Sequence, residues 1–174
     1  ASRCGISPDL SGAINERALL HIDNAYYLEN VLVENYLCKT NTASNTAFRG
    51  FGGNQGMMAI ENIIDHIATS LKKDSAEIRR RNFYQKKNKN ITHYNMKIED
   101  NIIQEIFDQL IKSSNYKSRQ LSIKKFNSEN KYIKRGIAMI PVKFGISFTT
   151  WHLNQAGALV HIYFNDGSVH VNTG

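Results

Sequence analysis

Apolar residues recur at intervals of three and four in the middle of the chain, which is the spacing of a helix with one buried face. The pattern is clearest from about Asn54 to Leu71, where isoleucine dominates the apolar positions. Shorter versions of the pattern predict three more helices, beginning at Asp74, near Ile102 and at Tyr116. In the last of these, Leu121 is expected to pack inward.

Towards both ends the composition changes to that of strands. Tyr26 to Thr40 is rich in Tyr, Val and Leu and is expected to be extended, and Gly136 to Val142 also has strand composition. Ala158 to Phe164 and Ser168 to Asn172 are joined by Asn165-Asp166-Gly167, which is typical of a hairpin turn. The expected fold class is therefore α+β, a mixed α/β arrangement of central helices flanked by strands.

The whole chain, residues 1–174, is expected to be one incomplete segment of a larger domain, because it starts at Ala1 without Met and stops at Gly174 soon after a predicted strand. Within it we expect a region of glycine loop and helices over 1–84, a polar helical segment over 85–132, and strands with a hairpin over 133–174. Residues 1–15 are interpreted as a loop or a weak helix start.

The most unusual stretch is Ser44 to Met57, in which glycines at 50, 52, 53 and 56 surround Phe51 and follow Arg49. A backbone this permissive bends tightly or lets a ligand approach closely. The loop leads into the start of a predicted helix, whose unpaired N–H groups suit an anion. The alternative is a turn that only joins a strand to a helix. Gln55 excludes a dinucleotide fingerprint starting at Gly50, and no phosphate-loop motif occurs.

The net charge of +7 is spread over many positions between Lys72 and Lys143, which is more typical of a solvated surface than of a binding face. Three consecutive arginines point in different directions on a helix, so surface ion pairs are favoured for them. A basic nucleic-acid-binding module stays open as an alternative, using Arg79, Arg80 and Arg81 with Lys86, Lys87, Lys89 and Lys97.

Candidate metal ligands are poorly spaced. Cys4 and Cys38 are isolated, which indicates incidental thiols and a reducing compartment, and His152, His161 and His170 lack close ligand partners. No apolar run approaches the length of a membrane span, so no membrane association is expected. We expect a cytoplasmic protein.

Several separated motifs, taken together, resemble the molybdenum-cofactor-binding portion of the xanthine dehydrogenase family. They occur in one order along the chain and agree with one another. The motifs are Asn15-Glu16-Arg17-Ala18-Leu19, Cys38-Lys39-Thr40-Asn41, Ser44 to Met57, Lys143 to Thr149, and Leu153 to Ala158. The stretch from Lys86 to Tyr132 matches mainly in helical character.

The resemblance implies roles for individual residues. Arg17, which residue chemistry alone leaves as either an ion-pair partner or a ligand contact, falls on the arginine that binds and polarises the purine. Phe51 and Phe148 fall on the two rings that sandwich it, and Thr149 falls on a hydroxyl contact. Arg49 falls on the position whose backbone lies against the molybdenum centre. The expected cofactor-binding residues are Arg49, Gly50, Gly52, Gly53 and Gln55.

The resemblance also implies an activity: oxidation of hypoxanthine and xanthine to urate in purine catabolism, with oxygen from water and electrons passed through 2Fe-2S clusters and FAD to NAD. The cofactor is molybdenum-molybdopterin, and the partners are the purine, the iron–sulfur and FAD parts of the enzyme, and a second copy in a homo-oligomer. No catalytic residue is expected in this chain, because the general-base glutamate would lie beyond Gly174. Asn54 departs from the proline usual in the family. An aldehyde oxidase is the closest alternative, against which Arg17 argues.

Overall fold

The computed structural model describes residues 2–148 and 154–173. The helices are α1 (Ser11–Leu20), α2 (Gly53–Ser70), α3 (Ser75–Arg81), α4 (Ile103–Ser113) and α5 (Tyr116–Glu129), and the strands are β1 (Ser2–Arg3), β2 (Leu37–Cys38), β3 (Ala158–Ile162) and β4 (Val169–Thr173). The mixed α+β class is confirmed, with the helices in the middle of the chain.

Helix α2 is the central element, and it has the bounds that its apolar spacing predicts to within a residue. Ile60, Ile64 and Ala68 are buried in the core, because positions four apart share one face of a helix. Ile63 and Ile67, one helical position away, are 50% and 42% exposed. The apolar stripe is therefore wider than the buried face.

Helix α3 begins after Asp74, whose side chain accepts a hydrogen bond from the Ala76 N–H at 3.1 Å. This N-cap is the predicted helix start. Glu77, three residues after this N-cap, pairs with Lys73 and Arg81 one turn away on either side.

Helices α4 and α5 confirm the two later helical predictions, but the inward position on α5 is different. Leu121 is 71% exposed, so the prediction that it packs inward is wrong. The buried residue is Tyr116, 3% exposed, whose hydroxyl lies 3.3 Å from Asp74. The ring is anchored at the start of the helix, and the rest of α5 is half-buried or exposed.

The strands form two separate pairs. β1 and β2 are parallel and only two residues long, so the extended segment predicted from Tyr26 to Thr40 is a strand at Leu37–Cys38 alone. β3 and β4 form the predicted antiparallel hairpin, with Val160 opposite Val171. Both faces of this hairpin are exposed to solvent among the residues described.

The strand predicted from Gly136 to Val142 is not formed, and this prediction is wrong. The segment has no ladder partner within the described chain, and a strand needs one. It is held instead by the burial of Met139 and by the Pro141 carbonyl, which accepts a hydrogen bond from Asn24 at 2.9 Å. Among the described residues, no helix is long and apolar enough to cross a membrane.

Candidate functional site

The guanidinium of Arg17 lies at the centre of the candidate site. Arg17 is on α1, is only 6% exposed, and donates a hydrogen bond from Nη1 to the Gly145 carbonyl at 2.6 Å. Its Nη2 donates to the Ser147 carbonyl. A planar fork fixed by two carbonyls cannot rotate freely, so its other N–H groups have a set direction. Nε is buried without a hydrogen-bond partner among the described atoms.

Of the two predicted rings, one lies beside this cation and the other lies beside the first ring. The centroid of the Phe51 ring is 5.8 Å from Arg17 Cζ, and the Phe51 and Phe148 rings are 5.5 Å apart with an angle of 56° between their planes. The structure thus brings together Arg17, Phe51 and Phe148, although Phe148 lies 97 positions after Phe51 in the chain. Thr149 lies outside the described residues.

A third aromatic ring, which the sequence analysis did not select, also lies beside Arg17. Phe144 lies 5.4 Å from Arg17 Cζ, measured to its centroid, and is 42% exposed. Cation–π contacts of this length stabilise a buried guanidinium that has no carboxylate at hand. Only its place in the Lys143 to Thr149 motif could have pointed to it.

The loop before α2 has left-handed backbone at three consecutive residues, Gly50, Phe51 and Gly52, with φ of 100°, 51° and 96°. For a phenylalanine this conformation is costly, and such strain is typical of functional positions. The loop ends at the N-terminus of α2, whose first N–H groups suit an anionic ligand.

The following glycines have a packing role of their own. A Cβ at Gly52 would lie 2.0 Å from the Ile14 carbonyl oxygen on α1, and one at Gly53 would lie 2.6 Å from the Phe144 ring. Close approach of α1 therefore accounts for Gly52, and close packing of Phe144 accounts for Gly53. Cofactor binding by Gly50, Gly52 and Gly53 stays a prediction.

Arg49 and Gln55, the other predicted cofactor residues, are exposed. The Arg49 carbonyl accepts a hydrogen bond from Asn54 Nδ2 at 3.1 Å, so the Asn54 side chain braces the loop. Gln55 lines a cavity of about 450 Å³ beside β1 and β2, where Asn15 Oδ1 is buried without a partner. Their cofactor roles also stay predictions.

His21 belongs to the same cluster, although nothing in the sequence pattern selects it. Its Nδ1 is 2.9 Å from the Arg17 carbonyl oxygen, and its Nε2 is 3.0 Å from the Gly145 nitrogen. Its ring centroid is 4.9 Å from that of Phe144. Burial is the largest cause of a lowered pKa for this histidine, and the Arg17 and Lys143 charges lower it further.

A second polar cluster, centred on the fully buried carboxylate of Asp23, holds the segment that carries part of the site. Lys143 donates to Asp23 Oδ2, and the Tyr84 hydroxyl donates to the same oxygen at 2.7 Å. Burial lowers the pKa of Lys143, while Asp23 opposes that shift; burial and the Asp23 contact both raise the pKa of Tyr84. The Lys143 N–H donates to Asn24 Oδ1 at 3.1 Å. Residues 21–24 thus hold the segment that carries Phe144 and Phe148.

The three consecutive arginines are all engaged in ion pairs. Arg79 is fully buried and pairs with Glu61 and Asp65, so the surface position expected for it is wrong. Arg80 makes a two-pronged contact with Asp108, and Arg81 pairs with Glu77, as expected for surface residues. This arrangement leaves the nucleic-acid alternative without support from these side chains.

His161 and His170 face each other across the hairpin, and His152 lies outside the described residues. Residues 2–148 and 154–173 contain no group of three or more metal-ligating side chains. A metal bound near Arg17 would therefore take its ligands from outside these residues, for example from a cofactor. The observations that fit such a group are the left-handed loop leading into the start of α2 and the unpartnered Nε of Arg17.

Comparisons with known proteins find similar sequences over nearly the whole chain. Two family models, both described as the molybdopterin cofactor-binding domain, match residues 1–83 and 109–174. The chain is 47% identical over 170 residues to a xanthine dehydrogenase of Dictyostelium discoideum, with 98% of this chain covered. It is 49% identical over 168 residues to a xanthine dehydrogenase/oxidase of Mus musculus, with 97% covered. The chain spans only 12% of the length of either relative.

Solved structures give the same fold at lower identity. The aldehyde oxidoreductase of Desulfovibrio desulfuricans matches 71% of this chain, and 13% of its own, with a TM-score of 0.63 and 23% identity. The aldehyde oxidoreductase of Desulfovibrio gigas matches 75% of this chain, and 14% of its own, with a TM-score of 0.59 and 23% identity. At this identity the likeness establishes the fold alone.

Proposed function

The chain belongs to the molybdopterin cofactor-binding domain family, and on that premise we propose that it forms part of a purine site in a molybdenum hydroxylase that oxidises hypoxanthine and xanthine to urate. One observation carries the purine assignment. The Arg17 guanidinium lies within 5.8 Å of the Phe51 ring, which in turn faces Phe148 at 5.5 Å.

The chemistry of a purine matches these three side chains. A flat, weakly polar heterocycle is held well between aromatic faces, because stacked or tilted rings attract it beyond simple area burial. A guanidinium at the edge of the ring donates to a purine oxygen or nitrogen. Of the five N–H groups of Arg17, two are used by the Gly145 and Ser147 carbonyls, so three are left, including Nε–H.

Arg17 would act on the transition state more than on the bound substrate. When bound, the molybdenum cofactor supplies the oxygen-atom transfer and the two-electron oxidation. Negative charge then develops on the purine ring, and a preorganised cation stabilises it without having to reorient. The backbone carbonyls that fix Arg17 provide this preorganisation. No described residue is assigned as the general base, which we place on a glutamate elsewhere in the enzyme.

The cofactor residues belong to the same proposal. Arg49 would present its backbone to the molybdenum centre, and Gly50, Gly52, Gly53 and Gln55 would border the cofactor at the start of α2. Support comes from the left-handed loop and from the exposure of Arg49 and Gln55. Transfer of electrons through 2Fe-2S clusters and FAD to NAD, a cytoplasmic location and a homo-oligomeric enzyme complete the proposal.

An aldehyde oxidase is the second candidate, because structures of aldehyde oxidoreductases share the fold. Simple aldehydes develop no charge that a remote guanidinium could stabilise. The position of Arg17 against the aromatic rings therefore favours a purine.

The two candidates are separated by Arg17→Met in the complete enzyme that contains this chain. We expect kcat/KM for xanthine to fall by at least a hundredfold, while kcat/KM for a small aldehyde changes by less than tenfold. Arg80→Met is the matched control, because Arg80 is a surface residue paired with Asp108, and both activities should be retained. Parallel losses for the two substrates in Arg17→Met would contradict the purine role and indicate loss of structure.

A further inference from the structure

We propose that His21 is a positioning residue for this site. Its neutral ring joins residues 144–148 to α1, and it thereby holds Phe148 opposite Phe51 and two carbonyl groups against Arg17. The effect on substrate rests on the proposed function, but the positioning itself does not.

The two hydrogen bonds of His21 fix its protonation. The Arg17 carbonyl oxygen, 2.9 Å from Nδ1, can only accept, so Nδ1 carries the proton. The Gly145 N–H, 3.0 Å from Nε2, can only donate, so Nε2 must be an unprotonated acceptor. A second proton on Nε2 would place two donors against each other, and the bond to Gly145 would be lost.

That bond acts at the point where the segment meets Arg17. Gly145 is held through both of its backbone polar groups, since its N–H donates to His21 and its carbonyl accepts from Arg17. Two residues later Ser147 has a φ of 80°, an unfavourable conformation for a residue other than glycine. Such a backbone persists only where neighbouring contacts enforce it, and Phe148 follows immediately.

The surroundings of His21 favour the neutral ring. The charges of Arg17 on α1 and Lys143 on the adjoining segment oppose a positive charge there, whereas the hydrogen bond to the Arg17 carbonyl and the Asp23 carboxylate favour one. On helix α2, Gly53 faces the ring, and Phe144 packs against it with ring centroids 4.9 Å apart. Burial accordingly lowers the pKa of His21 more than any other cause. The bond to Gly145 is complete at neutral pH and weakens on acidification.

The test is hydrogen–deuterium exchange of the Gly145 amide in the complete enzyme, followed by mass spectrometry. His21→Phe keeps a ring but has no acceptor, and we expect exchange at Gly145 to rise at least tenfold at pH 7.5. His21→Gln restores an acceptor oxygen that does not titrate, and we expect it to return exchange to within about threefold of the wild type. His66→Gln, at an exposed position on α2, is the control for replacing a histidine.

The decisive comparison is the pH dependence of exchange at Gly145 in the wild type and the variants. After correction for intrinsic exchange rates, protection at Gly145 should fall in the wild type and in His66→Gln as the pH drops through the folded-state pKa of His21, which lies below its ordinary value, and stay constant in His21→Gln. Unchanged exchange in His21→Phe, or an acid-induced loss that persists in His21→Gln, overturns the proposal.

A kinetic readout links positioning to the substrate. The KM for xanthine should rise five- to tenfold in His21→Phe and return towards the wild-type value in His21→Gln. Exchange needs no turnover, so an enzyme that acts on another substrate would leave the positioning result intact while the Arg17 experiment failed. The converse outcome is that His21→Phe leaves exchange at Gly145 unaltered while Arg17→Met loses xanthine activity as expected. That combination would rule out the positioning role of His21 and leave the proposed purine site intact.

Discussion

Gly56 on α2 is so close to Ala18 on α1 that a Cβ atom at position 56 would lie 2.2 Å from the Ala18 carbonyl oxygen. The two helices therefore cannot keep their separation with any larger residue at this position. Because α1 carries Arg17 and α2 follows the loop of Phe51, this contact sets the distance between two components of the site.

We accordingly expect Gly56→Ala to destabilise the protein by roughly 1–3 kcal/mol, the usual cost of overpacking, and to lower xanthine turnover as α1 shifts. The control is Gly12→Ala on α1, where a Cβ has nothing within 4 Å. Alanine there should be neutral or stabilising by up to about 1 kcal/mol, because it is the better helix former. Thermal unfolding midpoints measure both effects, and equal midpoints would show that the helices can separate freely.

Phe51→Ala should weaken binding of flat heterocycles by about 1 kcal/mol, roughly a fivefold rise in dissociation constant, because one aromatic face is lost. Phe48→Ala removes a ring that is 81% exposed three residues earlier, and it should bind as the wild type does. Titration with a purine inhibitor compares them. Equal affinities for the wild type, Phe51→Ala and Phe48→Ala would show that Phe51 does not contact the ligand.

Arg79 and Arg80 are neighbours in sequence with opposite environments, so the same substitution should have very different effects. Arg79→Met strands the carboxylate of Glu61, which is 7% exposed, and should cost about 3–5 kcal/mol. Arg80→Met removes an exposed pair with Asp108 and should cost less than about 1 kcal/mol. Denaturant unfolding of the two variants tests the contrast, and similar costs would contradict the buried network.

The Asp23–Lys143 pair calls for a double-mutant cycle. Asp23→Asn alone leaves a half-buried lysine without its carboxylate, and Lys143→Met alone leaves a fully buried carboxylate without its cation. Each should be strongly destabilising, whereas the double variant should recover part of the loss because no unpaired charge is left. Strictly additive losses would mean that the two side chains do not interact.

Acid stability should depend on His21. Its pKa is lowered on folding, so the unfolded chain takes up a proton first. The stabilisation is complete above about pH 6.5, the ordinary histidine value, and is lost as the pH falls through the lower folded-state pKa. The lowered pKa values of Asp108 and Asp166 act only below about pH 4. Between pH 6.5 and 5, His21→Gln should therefore lose less stability than the wild type, and parallel losses would exclude His21 as the cause.

The sequence predicted the elements whose stability is local. Helix α2 has a strong apolar period, α3 has an N-cap at Asp74, and the β3–β4 hairpin has its Asn-Asp-Gly turn, so each signal lies within a few residues. The strand prediction for Gly136 to Val142 was wrong because its signal was not local. Strand formation depends on a partner elsewhere, and composition cannot supply one.

The site residues also differ in whether a signal in the sequence could select them. Motif resemblance selected Arg17, Phe51 and Phe148, and the structure places them together. His21 could not be found in this way, because its role comes from a hydrogen bond across 124 positions of the chain. The burial of Arg79 was missed because its carboxylate partners lie on another helix, 14 and 18 residues earlier.

The two-stranded hairpin of β3 and β4 has a consequence for strand alignment. In most sheets a buried face specifies the register, since a slip of one residue would turn apolar side chains towards water. Among the described residues both faces of the pair are exposed, so burial by this part of the chain makes no distinction between the observed alignment and one shifted by a residue. The alignment is left to the turn, where Gly167 takes a φ of 68° and the Ser168 N–H donates to Asp166 at 2.9 Å. Those few atoms decide which face of the ribbon every side chain from Ala158 to Thr173 occupies.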